Sequence, residues 1–456
     1  MPGEIITLQA GQCGNQIGEQ FWSQLCSEHG ILSDGTTDPN FKDVYRNDYP
    51  DAFFQKITDN KYKPRAILID MEPRVINGIT TRCQNLFNPR NIYISSDGGG
   101  AGNKWGEGYA HASKHKDEIF DMINREIDNC DSFEGFQLIH SVAGGTGSGF
   151  GSLLLESLSD GFGKKLIQTY SVFGASEVVV QPYNTMLTLK RLIQNSDCNV
   201  VFDNNALMNI ATNSLQVSSP SYTETNKLLS TVMAASTNTI RFPAYSYNSL
   251  TSIFTTLIPT PDLHFLIPSY TPFGFRNSVE LGKSDAYNVI LELLDKKLRM
   301  CTTKEEGVNL SVLDILIGEL EYSEVQKALV KARTRINYVP WTSSTIHFTP
   351  AKKSPFLQTT PSNDRNDVKG LMLANSTSVL NLIHTATSQY DQLMNRNAFL
   401  NNYVNKSDYE AEHGDIMEEF KDCREVVRKM VNEYTACQGT NYLYESEDED
   451  EDEDLL

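Results

Sequence analysis

The sequence predicts an α/β fold with three parts: an N-terminal domain built on a parallel sheet, a second, smaller α/β domain, and a C-terminal helical segment. Three observations carry the prediction. Short β-like runs alternate with helical stretches through the first half, as in a parallel sheet covered by helices on both faces. One glycine-rich stretch, Ala143-Gly144-Gly145-Thr146-Gly147-Ser148-Gly149-Phe150-Gly151, sits between a β-like run and a helix-like run. The chain has 456 residues and 39% hydrophobic content, too long for one simple core and apolar enough to fill several.

The β-like runs are Glu4–Gln9, Arg65–Asp70, Asn91–Ser95, Phe136–Val142, Leu166–Phe173 and Asn199–Asp203. Helical stretches lie between them, including Trp105–Cys130 and Tyr183–Asn195. A long helical stretch follows, Thr223–Ile240, broken by Arg241-Phe242-Pro243. From there to Met372 strands and helices mix, punctuated by Pro259, Pro261, Pro268 and Pro272. Ala351–Asp367 is rich in Pro, Ser and Thr and reads as an exposed loop. Two helical stretches close the chain, Thr377–Asn395 and Asp415–Tyr434. The second carries Ile416, Phe420, Cys423, Val426, Val427 and Met430 at helical spacing, a stripe for core packing. Its other face, with Glu418, Glu419, Lys421, Asp422 and Arg424, is left for partners. The expected units are 1–222, a central helix 223–240, 241–372, helices in 373–440, and an acidic tail 441–456.

Composition narrows the function. The net charge is −19, and residues 445–454 hold nine acids and Ser446, leaving −10 on the remainder. Such a run repels itself and is expected to be disordered. It serves as a solubilising tail or as an electrostatic lure for basic partners, and direct nucleic-acid binding is disfavoured. Ser446 among acids is a candidate phosphorylation site. No apolar run reaches the roughly 18 residues of a membrane span, and the start lacks a basic region followed by an apolar one. The eight cysteines, at 13, 26, 83, 130, 198, 301, 423 and 437, form no C-x-x-C pair, which suits reduced thiols. His111 and His115 share a helical spacing, but lack the glutamate of H-E-x-x-H. A solvated helix face is the reading we adopt for them.

The loop at 143–151 points to an anion. A glycine turn between a strand and a helix lets backbone N–H groups converge on one phosphate, and the helix dipole adds positive charge there. It is not a P-loop, because Phe150 occupies the lysine position. No register of its glycines gives G-x-G-x-x-G. A flexible hinge is the alternative. Gln9-Ala10-Gly11-Gln12-Cys13-Gly14-Asn15-Gln16 is a second strand–glycine–helix junction. Asp70-Met71-Glu72-Pro73 ends another strand. Its two acids suit Mg²⁺ held through waters, or a helix N-terminus with Pro73 in the first position. Asp97-Gly98-Gly99-Gly100-Ala101-Gly102-Asn103 is a third glycine-bearing loop. In open α/β sheets ligands sit beyond the carboxyl ends of the strands, and every one of these segments falls at such an end.

GGTGSG at 144–149, with the segments above, resembles the tubulin family, and the resemblance covers almost the whole chain. It implies a GTP (or GDP) pocket with Mg²⁺. Gln12 would reach phosphate or magnesium, Cys13 would line the pocket, and Asn15 would help hold sugar or base. Asp70 and Glu72 would serve the metal. Ala101, Gly102 and Asn103 would cover the terminal phosphate, and Ser141, Ala143, Gly144, Gly145, Thr146 and Gly147 would cradle the phosphates. Glu177, four residues before Gln181-Pro182-Tyr183-Asn184, would face the ribose. Asn204 and Asn226 would pair with the guanine edge, since an amide matches both donors and acceptors, and Tyr222 would stack on the base. For each asparagine a buried structural role is the alternative.

Several stretches are similar to the γ-tubulin branch, among them Arg65–Ile76, Leu86–Pro89, Lys164–Phe173, Leu187–Leu192 and Arg424–Val427. That implies microtubule nucleation rather than a lattice role. The implied partners are γ-tubulin complex scaffold proteins, αβ-tubulin and laterally placed copies in a ring, without nucleic acid or membrane. The implied location is the cytoplasm and cytoskeleton, at a microtubule-organising centre (centrosome or spindle pole body). Two departures stand out. The loop that in tubulins carries a G-x-x-N-x-D pattern, and in α chains a nearby glutamate, here has Ala244, Tyr247, Ser249 and Ser252. In the family that loop reaches the nucleotide of the subunit below; without a carboxylate it does not activate water there, which suits a chain with nothing to hydrolyse beneath it. Hydrolysis of the chain's own nucleotide is expected to be at most slow, needing an acid supplied in trans by the next subunit. The loop Gly174-Ala175-Ser176 is shorter than the branch leads one to expect, which bears on Glu177 and on nucleotide affinity.

Overall fold

Ten strands make one sheet, and the three glycine-bearing loops after β1, β5 and β6 lie along one edge of it. The computed structural model describes residues 3–41, 47–96, 98–174, 178–217, 219–273, 285–303, 307–357, 368–403 and 415–443. In chain order the first half runs β1 (Glu4–Ala10), α1 (Gly11–Glu28), β2 (Phe54–Thr58), β3 (Lys61–Pro64), β4 (Ala66–Asp70), α2 (Pro73–Arg82), β5 (Ile92–Ile94), α3 (Trp105–Lys114), α4 (Lys116–Asp128), β6 (Phe133–Ser141), α5 (Gly151–Gly161), β7 (Leu166–Phe173), α6 (Gln181–Asn195), β8 (Cys198–Asp203) and α7 (Asn204–Asn213). The second half runs α8 (Tyr222–Ser236), α9 (Asn238–Arg241), α10 (Leu250–Leu257), β9 (Phe265–Thr271), α11 (Ala286–Leu293), β10 (Asn309–Ile317), α12 (Tyr322–Arg333), β11 (Ile346–Ala351), β12 (Lys369–Ser376), α13 (Leu380–Asn395) and α14 (Ile416–Ala436).

The sheet order is β11-β10-β12-β9-β8-β7-β6-β1-β4-β5. From β5 to β9 every pairing is parallel. β12 runs antiparallel to both β9 and β10, and β11 is parallel to β10. Strands β1, β4, β8 and β9 are buried throughout, as expected when helices cover both faces. All six strands anticipated in the first half are present. The β2–β3 hairpin was not anticipated.

Two expectations need correction. The stretch 105–130 is two helices, broken at His115. The long central stretch is α8, opened by a reciprocal Ser221–Glu224 capping box, then a break at Thr237 and the short α9. The later strands and helices form the smaller α/β part, and its strands continue the first sheet. β9 joins β8 through Asn199↔Phe265 and Val200↔Leu266, and one hydrophobic cluster includes Leu228 and Val232 of α8 with Leu266, Leu313 and Leu371.

α14 buries Ile416, Phe420, Cys423, Val427, Met430 and Tyr434, close to the anticipated stripe. Glu419, expected on the outer face, instead turns inward. It pairs with Lys190 at 3.0 Å and with Arg191. Arg191 is only 4% exposed, also binds Glu156 at 2.8 Å, and lies over the Trp105 ring. Arg424 likewise pairs with Asp391 of α13. The expected tail begins too early: Tyr442 is buried, its ring 5.1 Å from that of Trp341, while residues 444–456, with Ser446, lie outside the described residues, as does most of the segment read as an exposed loop. No described helix is long and apolar enough to cross a membrane.

Candidate functional site: a cavity at the carboxyl edge of the sheet

Strands β1, β4, β6, β7 and β8 point their carboxyl ends at a cavity of about 320 Å³. β1 delivers Ala10, Gly11, Gln12, Cys13 and Gln16 to its wall. Gly11 adopts φ +73°, and a Cβ there would stand 2.8 Å from the Gly147 nitrogen. Glycine therefore lets the β1 and β6 loops touch. No side chain caps the start of α1, and its first turn holds no acid, so its leading N–H groups remain an anion site.

β6 delivers Ser141, Ala143, Gly144, Gly145, Thr146 and Gly147. The chain then makes a tight turn of π-helix, Thr146–Phe150, before α5. The Ser148 hydroxyl donates to the Gly144 and Gly145 carbonyls, which occupies loop acceptors that would repel a phosphate. The loop before α3 contributes Ala101, Gly102 and Asn103. Asn184 of α6 donates from Nδ2 to the carbonyls of Asn103 and Ala143, both at 2.8 Å, so one buried amide spans the two loops. No local pattern in the sequence marks Asn184.

β4 ends in Asp70, 2% exposed. Its Oδ1 accepts from the Glu72 backbone N–H at 3.3 Å, while Oδ2 has no protein partner. Burial raises its pKa to about 6. A buried carboxylate oxygen lacking a donor, in a cavity, fits a hard cation. Glu72 is exposed at the same rim. Among the described residues no group of three or more His, Cys, Asp or Glu is placed to hold a metal. A cation here would take one or two carboxylates and complete its shell from ligand and water, the habit of Mg²⁺. No lysine or arginine is among the described lining residues.

The far wall comes from Val172, Phe173, Gly174, Val178, Asn204, Tyr222 and Asn226. Tyr222 and Asn226 stand one helical turn apart at the start of α8, and Asn204 opens α7. Burial pushes the Cys13 thiol up to about 12, so it remains a neutral thiol at the wall.

Sixteen of the eighteen residues anticipated for the pocket meet at this cavity. Asn15 does not. It is fully buried, and its Nδ2 donates to the Gly11 and Ile69 carbonyls at 2.9 Å, tying α1 to β4. Glu177 lies outside the described residues, as does Asp97. Gln16, Val172 and Phe173 went unanticipated. Gln16 was findable one turn after Gln12, and the other two as the carboxyl end of β7.

The histidine pair is not a solvated face. Both rings are half-buried with centroids 4.6 Å apart, and His111 Nε2 shares a 2.9 Å hydrogen bond with the Tyr93 hydroxyl. The loop at 244–252 sits at the other edge of the sheet. The Thr251 N–H donates to Glu134 at 3.2 Å, and Glu134 opens β6 roughly 23 Å of strand away from Ser141.

Known proteins agree with this arrangement. Residues 4–212 match the GTPase domain of the Tubulin/FtsZ family, and residues 261–388 match the tubulin C-terminal domain. The tubulin gamma chain of Eremothecium gossypii is 46% identical over 97% of this chain and 94% of its own length. The chain belongs to the γ-tubulin family. The tubulin gamma chain of Candida glabrata is 44% identical over 97% of this chain and 96% of its own. This γ-tubulin-family member thus carries both tubulin domains, with the cavity formed mainly by the first and closed by the start of α8.

Proposed function

We propose that this chain binds GTP in the cavity and nucleates microtubules at organising centres, templating αβ-tubulin assembly within a γ-tubulin complex. The observation that carries the reading is the separation of two edges. Glycine-bearing loops and a carboxylate with one unpartnered oxygen gather at the carboxyl edge, while the opposite edge presents a loop without the tubulin acids. The carboxyl edge would be the template face. The opposite edge would rest on a scaffold protein, and copies would lie side by side in a ring. Preassembly removes part of the ordering cost that makes the first subunits slow to associate.

In this reading backbone N–H groups of α1 and of the 143–147 loop bind the phosphates, and Asn204, Tyr222 and Asn226 hold the base. Asp70 and Glu72 would hold Mg²⁺, which neutralises phosphate charge that no lysine or arginine meets here. The ligand is structural, with at most slow turnover awaiting a carboxylate in trans from the next subunit.

Imaging tests it. A fluorescent version of the full chain is added at trace level to polymerising αβ-tubulin with GTP. Signal at one end of each microtubule with a shortened lag is expected; signal spread along the walls would make the chain a lattice subunit and overturn the reading.

A further inference from the structure

We infer that Asn184 is the positioning residue that holds the two loops in register, and that Tyr403 of the C-terminal segment sets Asn184. The inference rests on the GTP-binding reading above. An asparagine side chain offers two N–H donors and two acceptor lone pairs. Asn184 is fully buried on α6 and uses all four. Nδ2 serves the Asn103 and Ala143 carbonyls. Oδ1 accepts from the Trp105 backbone N–H at 2.9 Å and from the Tyr403 hydroxyl at 2.5 Å.

Two of these four bonds end on loops that form the cavity and a third on the first residue of α3. Asn103 and Ala143 themselves line it, and Trp105 begins α3 directly behind Asn103, so a shift of the amide is a shift of the wall. The fourth bond leaves the nucleotide half. Tyr403 is 1% exposed, and its ring lies 5.5 Å from that of Tyr183 and 5.6 Å from that of Phe420 on α14. A side chain on a helix, locked by packing, holds a site more tightly than the loops can alone. Without the Tyr403 hydroxyl, Oδ1 keeps one donor of two, and nothing fixes the rotation of the amide from that side. The C-terminal segment thereby acts on the phosphate loops, and by linkage nucleotide acts on that segment.

The neighbouring Tyr183 provides the control. Its hydroxyl donates to the Ala398 carbonyl at 2.8 Å, a part-buried bond in the same aromatic cluster that does not involve the Asn184 side chain. GTP and GDP affinities are measured by equilibrium binding on the full-length chain and on Tyr403→Phe and Tyr183→Phe, with melting temperatures alongside. Tyr403→Phe should weaken both nucleotides about 3- to 10-fold, the scale of one lost hydrogen bond. Tyr183→Phe should stay within about twofold while losing similar thermal stability. Equal effects of the two changes, or no loss in Tyr403→Phe, would reduce Tyr403 to packing and overturn the inference. Hydrogen exchange on the unmodified chain tests it without a variant: GTP should slow exchange at residues 400–403 and in α14, and unchanged exchange there counts against it. Failure of the unmodified chain to bind any guanine nucleotide is the one result that strikes the GTP reading itself, and this inference with it.

Discussion

Asp70 carries a buried carboxyl whose charge the protein alone does not satisfy. Burial is the main reason its pKa rises to about 6 from 3.8, opposed by backbone N–H groups of Glu72 and Met71. Between those values the folded chain keeps a proton that the unfolded chain has released, so stability falls as pH rises through the window. Above about 6 the whole cost stands, on the order of 2–3 kcal/mol. Asp70→Asn removes it while keeping an acceptor for the Glu72 N–H. The nucleotide-free variant should therefore melt about 2–4 °C higher at pH 7.5, with a smaller gain at pH 5. Its Mg²⁺-dependent GTP affinity should fall about tenfold or more. A variant no more stable at pH 7.5 than at pH 5, relative to the unmodified chain, would mean that Asp70 is not charged at a cost. Gly11 works at the same scale: a side chain there would collide with the Gly147 nitrogen and force the two loops apart.

At the scale of elements, the start of α10 explains why the missing acids leave no structural scar. Ser249 and Ser252 form a reciprocal capping box, Ser249 Oγ accepting from the Ser252 N–H at 3.2 Å. Aspartate is as good a cap, and glutamate in the third position is the usual partner. Ser249→Asp with Ser252→Glu should thus fold with an unchanged or higher melting temperature. We expect no stimulation of GTP turnover in stacked neighbours, measured as phosphate release. Stimulation would mean that this edge meets nucleotide, and the reading in which it rests on a scaffold protein would go. α14 shows the limit of periodicity. Its buried stripe was legible from spacing, because helical geometry is local. The inward turn of Glu419 was not, because its partners Lys190 and Arg191 lie more than two hundred residues away in the chain.

The whole molecule is joined across the position where the sequence suggested a separate second unit. β8 and β9 share two residue pairs, and α8 buries its face in a cluster that also holds Leu266, Leu313 and Leu371. Neither half can be removed without exposing that shared apolar surface. Scanning calorimetry of the full chain should show one transition for the folded body. Two separated transitions would mean that the halves unfold independently despite the continuous sheet.

Sequence alone determined the parallel sheet of the first half, the loops at its carboxyl edge and the residues on them. A strand, a glycine turn and a helix are neighbours along the chain, so their chemistry is legible there. It also marked Asn204, Tyr222 and Asn226, through the resemblance rather than through any local pattern. Only tertiary structure decided which polar side chains face the cavity and which hold it up. Asn15 turns to the Ile69 carbonyl, and Asn184 to two loops and a tyrosine 219 residues away. Tertiary structure likewise decided that the later strands extend the first sheet. The physical reason is the same in each case. A buried polar group must find its partners wherever the fold brings them, and a strand edge pairs with whatever edge packing sets beside it.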